Sequence, residues 1–107
     1  MNEMAMGPQP GDRQDDQRIA ALLGEMTLGE KIGQLNQLFG QGEHLVDHLR
    51  PRLQAGQVGS VINVVDLGQV NEMQRIAVEE SRLGIPLLFG RDVIHGFKTV
   101  MPIPLGQ

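Results

Sequence analysis

The sequence predicts an α/β chain in which leading helices are followed by parallel β-helix-β units. Three observations predict it. A capped amphipathic helix stands in the first third, a β-branched run follows, and a helical stretch separates that run from a second short apolar strand. With 107 residues, 40% of them apolar and 21% charged, the chain has the size and composition of one small globular domain.

Residues 1–16 combine Gly7-Pro8 and Pro10-Gly11 with polar residues and hold no apolar run, so they read as a flexible leader. A secretory signal needs an apolar stretch of about 7–15 residues behind a basic end. Its absence makes a cytoplasmic or unassigned location the expectation. No window approaches the roughly 18 consecutive apolar residues of a membrane span, so no membrane partner is expected. From Asp16 onward, Ile19, Leu22, Leu23 and Met26 recur at helical spacing, with Gly24 weakening the end of that helix. Thr27-Leu28-Gly29-Glu30 then forms a capping box. The Thr27 hydroxyl is placed to accept from the Glu30 amide, and the Glu30 carboxylate to accept from the Thr27 amide. Ile32, Leu35 and Leu38 continue at helical spacing, which predicts a second helix running up to the Gly40-Gln41-Gly42 break.

Leu45, Leu49 and Leu53 at spacings of four predict a third helix to about Ala55, with Gly56 as its stop. Pro51 inside it implies a kink or restart, because proline lacks the amide donor and its ring meets the preceding turn. Residues 58–65, Val-Gly-Ser-Val-Ile-Asn-Val-Val, predict a strand buried on both faces. Asp66 is placed to cap a helix that turns Val70, Met73, Ile76, Ala77 and Leu83 inward and Glu72, Arg75, Glu79 and Glu80 outward, ending at Gly84. Residues 86–90, Pro-Leu-Leu-Phe-Gly, form a second strand, and the right-handed crossover rule makes the two strands parallel neighbours. Two parallel strands do not form a stable sheet alone. The rest of a larger α/β domain, or further subunits that complete the sheet between chains, is therefore expected.

Nine Lys and Arg against thirteen Asp and Glu give a net charge of −4, which disfavours a phosphate backbone as partner. The absence of cysteine excludes disulfides and thiolate chemistry, and no glycine-rich phosphate loop follows a strand. No cofactor is expected. His44 and His48 share a helix face with no glutamate between them and no third ligand, so they read as solvated and no metal site is expected. Parallel α/β folds gather reactive groups beyond the carboxyl ends of their strands, where Asp66 and Asp92 stand. Carboxylates on neighbouring strands suit glycoside hydrolysis, in which a retaining pair lies roughly 5–5.5 Å apart. For Asp66, helix capping is the competing role, and for Asp92 a loop turn. His95, three residues on from Asp92, reads as a brace of that loop.

Three ordered motifs resemble one family. Met26-Thr27-Leu28-Gly29-Glu30-Lys31-Ile32-Gly33-Gln34-Leu35 is similar to the opening helix of glycoside hydrolase family 3, the β-glucosidase and β-xylosidase group. Gln57-Val58-Gly59-Ser60-Val61 resembles its first barrel strand. Leu83-Gly84-Ile85-Pro86-Leu87-Leu88-Phe89-Gly90-Arg91-Asp92-Val93-Ile94-His95-Gly96, with Thr99 and Pro102-Ile103-Pro104-Leu105-Gly106, resembles its second strand and following loop.

The resemblance implies that residues 17–107 are the N-terminal part of a (β/α)8 TIM-type barrel, a fold of about 250 residues. They would supply the leading helices and the first two β/α units. It implies a retaining β-glycosidase acting on β-linked glucosides or oligosaccharides. The family's aspartate nucleophile and acid or base glutamate fall on motifs this chain does not contain, so no catalytic residue is expected here. Asp92 matches the aspartate that hydrogen-bonds sugar hydroxyls and is the expected substrate contact, with Arg91, His95 and Gly96 supporting its loop. Asp66 matches no family catalytic residue. The loop sequence favours the glucosidase branch over the N-acetylhexosaminidase branch, whose loop resembles Asp-x-Glu-Gly-Gly-Arg. Relatives are often periplasmic or secreted. A non-catalytic remnant, or an oligomerising carbohydrate-binding module that keeps Asp92, is the alternative. With three phenylalanines and no Trp or Tyr, this stretch offers few stacking platforms for sugars.

Overall fold

A computed structural model describes residues 10–93. The elements run α1 (Pro10–Glu25), α2 (Leu28–Gln34), β1 (Gln37–Phe39), α3 (Leu45–Gln54), β2 (Ser60–Ile62), α4 (Leu67–Glu79) and β3 (Leu88–Gly90). The strands form one parallel sheet in the order β1-β2-β3, so α3 and α4 are the two crossovers.

Each helix end has a local cause. Thr27 and Glu30 form the reciprocal capping box at 3.1 and 2.9 Å. Asp66 Oδ1 accepts from the Gln69 amide at 2.8 Å and starts α4. Gly56, at φ +70°, stops α3 in a conformation that costs a glycine little. Helix α3 continues through Pro51 to Gln54 as a single element.

The core is the interface between α3, α4 and one sheet face. Leu45, Leu49 and Leu53 from α3 meet Met73, Ile76 and Ala77 from α4, with Val58, Val61 and Leu87 from the sheet layer; Val61, Met73 and Ile76 are fully buried. Each large side chain buried in this way contributes about 1.5–3 kcal/mol. The central residues of the strands, Leu38, Val61 and Phe89, share one register row and pack on that core. A polar layer closes its solvent side: Arg50 of α3 bridges Glu72 of α4 and Glu80 at its C-terminal cap, and Arg75 gathers Glu72, Glu79 and Glu80.

The structure changes several expectations. Helix α2 ends at Gln34, and residues 37–39, where Leu38 stands at helical spacing from Leu35, form a strand. The reason is backbone pairing: Asn36 O accepts from Gly59 N and Ser60 N, and Gly40 N donates to Ile62 O, so β2 takes up what another helical turn would have used. Among the described residues the sheet therefore has three strands, and the strand first expected is the second. Helix α1 begins at Pro10, so residues 10–16 of the expected leader are helical; residues 1–9 lie outside the described residues. Proline suits a first helical position because its missing donor would be unsatisfied there anyway. The strand expected over residues 58–65 shortens to Ser60–Ile62 because Asn63 turns into positive φ. The last strand shortens from residues 86–90 to Leu88–Gly90. Burial of the sheet on both faces is not seen either. Leu88 is 75% and Phe39 55% exposed, because both crossover helices lie on the opposite face.

Candidate functional site

Parallel pairing puts the carboxyl ends of β1, β2 and β3 at one edge, with Phe39, Ile62 and Gly90 in register. Just beyond that edge, Asn63 adopts φ +72°, a left-handed conformation that asparagine tolerates better than other side-chain-bearing residues. Its amide donates to Gly90 O at 2.9 Å, and its side-chain Oδ1 accepts from the Asp92 amide at 2.8 Å. Its carbonyl accepts from the Arg91 guanidinium at 3.4 Å. Asp92 is thus held at the carboxyl end of the sheet by a neighbouring strand, and its residue is exposed.

Of the sequence-based candidates, Asp92 and Arg91 come together here. His95 and Gly96 lie outside the described residues. Asp66 is occupied as the cap of α4, which accounts for its carboxylate without a catalytic role. His44 and His48 are exposed on and beside α3, as their spacing implies. Asn63 is the residue that sequence reasoning missed. Its one signal was an asparagine interrupting a β-branched run, where a residue able to adopt positive φ ends a strand.

The other two motifs build architecture. In the first, the Arg82 guanidinium pairs with Glu30, which is also bonded by the Thr27 amide. Foremost the bond to Arg82, and then the bond from Thr27, lower the Glu30 carboxyl to about 2. Arg82 also donates to Glu25 O at 2.8 Å, fastening the end of α1 to the segment after α4. Gly33 and Gly59 mark the contact between α2 and the lead-in to β2. A Cβ on Gly33 would stand 2.0 Å from Gly56 O, and one on Gly59 would stand 2.1 Å from Gln34 O. Only glycine allows backbones to approach so closely. An open groove of about 690 Å³ between α1 and residues 83–86 lies before β3, at the opposite end of that strand from Asp92. In parallel α/β barrels that end serves stability rather than chemistry.

Residues 27–106 match the glycosyl hydrolase family 3 N-terminal domain. The chain belongs to glycosyl hydrolase family 3. Over 91 residues it is 41% identical to a periplasmic beta-glucosidase of Salmonella typhimurium, a match that takes in 85% of this chain and 12% of that protein. The crystal structure of a beta-glucosidase from Listeria innocua in complex with glucose superposes with a TM-score of 0.62 at 36% identity, covering 83% of this chain and 14% of that one. The family 3 chain therefore spans about an eighth of the length of these relatives. Both relatives are beta-glucosidases by name, and the family 3 match includes the edge that carries Asn63, Arg91 and Asp92. Among the described residues no helix is long and apolar enough to cross a membrane.

Proposed function

We propose that this chain forms the N-terminal part of the catalytic barrel of a retaining β-glycosidase and contributes a sugar-binding carboxylate, Asp92. The observation that carries the proposal is the position of Asp92 beyond the carboxyl end of a parallel sheet, inside a segment that belongs to a glycosidase family. A carboxylate there is able to accept hydrogen bonds from two vicinal hydroxyls of a β-linked glucoside. That contact orients the ring for a nucleophile supplied elsewhere, and orientation is where such a residue contributes to rate. The nucleophile and the acid or base stand outside this chain, which is therefore inert alone. Arg91 braces the Asp92 loop through the Asn63 carbonyl.

The bare sheet face, with Leu88 and Phe39 exposed, supports the barrel reading. In a closed barrel the helices coat the outside and this face turns to the packed interior. Further strands then cover it and remove both open edges.

The test is the stereochemistry of turnover. Proton NMR of an aryl β-glucoside reaction catalysed by the full-length protein is expected to show the β-anomer of glucose forming first. Release of the α-anomer first, or no hydrolysis of β-glucosides by the full-length protein, overturns the proposal.

A further inference from the structure

Asn63 joins the carboxyl ends of two neighbouring strands through three hydrogen bonds, all directed at residues 90–92. Its amide donates to Gly90 O, its carbonyl accepts from Arg91, and its side-chain oxygen accepts from the Asp92 amide. The first bond continues the parallel ladder beyond Ile62 and Gly90. The third depends on the side chain, and it reaches its partner because φ is +72°.

The residue type follows from both requirements. Glycine would supply the positive φ but no acceptor. Alanine or serine would supply neither an amide-length acceptor nor an easy left-handed backbone. Aspartate would supply the acceptor and tolerate the conformation, while adding a negative charge near the Asp92 carboxylate. Asparagine meets both requirements without that charge.

We infer that Asn63 is a positioning residue for sugar recognition, setting the placement of the Asp92 carboxylate through the hydrogen bond from the Asp92 amide to Asn63 Oδ1. This rests on the assignment of Asp92 as the sugar contact. A carboxylate that serves two vicinal hydroxyls must be held to within about 0.5 Å. Displacement of such a group by about 1 Å costs on the order of 10²-fold in rate.

The experiment is a double-mutant cycle in the full-length protein, with an aryl β-glucoside as substrate. Asn63→Gly keeps the backbone conformation and deletes the acceptor. It is expected to lower kcat/KM by about 10–10²-fold, and Asn63→Asp to retain more activity than Asn63→Gly. In an Asp92→Ala background, Asn63→Gly is expected to have no further effect. Hydrogen exchange supplies the local readout: Asn63→Gly is expected to speed exchange of the Asp92 amide and leave the Gly40 amide, which bonds Ile62 O, protected.

Equal losses from Asn63→Gly in the wild-type and Asp92→Ala backgrounds would mean a general structural role and overturn the inference. A large loss in Asp92→Ala beside wild-type turnover in Asn63→Gly overturns this inference alone. Wild-type turnover in Asp92→Ala removes the sugar contact itself, and the positioning role with it.

Discussion

The Arg82 guanidinium holds the Glu30 carboxylate across 52 residues of sequence, and the same carboxylate closes the capping box with Thr27. One side chain, 13% exposed, thereby starts α2 and ties it to the turn after α4. The bond to Arg82 is the first cause of the lowered Glu30 carboxyl, which falls from 4.5 to about 2. A depressed carboxylate stabilises the fold fully above its unfolded value and loses that contribution as pH falls through its folded value. The difference in melting temperature between wild type and Glu30→Gln is therefore expected to be constant above about pH 5 and to shrink between 4.5 and 2. Thermal melts across that range check it. A difference that persists at pH 2 would contradict the pairing.

Gly29 of the first motif and Gly59 of the second are expected to respond in opposite ways to alanine. At Gly59 the added methyl meets Gln34 O at 2.1 Å, and Gly59 also bonds Asn36 O and Leu88 N through its own backbone. Neither backbone is free to yield, so Gly59→Ala should destabilise by about 1–3 kcal/mol or more. At Gly29, in the first turn of α2, the methyl meets only Thr27 Oγ1 at 3.9 Å. Gly29→Ala should stabilise by about 0.4–1 kcal/mol, chiefly by restricting the unfolded chain. Urea denaturation of both variants decides the contrast. Equal effects of the same sign would contradict the close approach of α2 and β2.

Leu88 is bare here and turns to the packed interior in a closed barrel. Leu88 is 75% exposed, whereas Ile76 on the helical side of the sheet is fully buried. In the full-length protein Ile76→Ala is expected to cost about 2–5 kcal/mol through lost contacts and a cavity. If further strands cover the opposite face, Leu88→Ala falls in the same range. Denaturation of the full-length protein measures both. A Leu88→Ala cost under about 0.5 kcal/mol, the scale of a surface substitution, would mean that the face stays open.

Local chemistry made much of this structure legible in the sequence. Thr27 and Asp66 announce helix starts because their side chains have a backbone donor to satisfy, and both bonds are present. Leu45, Leu49 and Leu53 define a buried stripe by spacing alone, as do Met73, Ile76 and Ala77. Strand β1 was hidden for two reasons. Three residues are too short to display alternation, and Leu38 falls at helical spacing from Ile32 and Leu35, which are 58% and 88% exposed instead of forming a buried helical face. What decides β1 is its pairing with β2, a contact between residues far apart in sequence. The candidate site divides in the same way. Asp92 could be placed after a strand by local pattern, whereas the role of Asn63 depends on a bond to a residue 29 positions away.

The most direct measurement is kcat/KM of Asp92→Ala in the full-length protein on an aryl β-glucoside, with circular dichroism to confirm that the fold persists. If Asp92 orients the sugar, kcat/KM should fall by about 10²-fold or more with the fold unchanged. Wild-type kcat/KM in a folded Asp92→Ala variant would contradict a sugar contact at the end of β3.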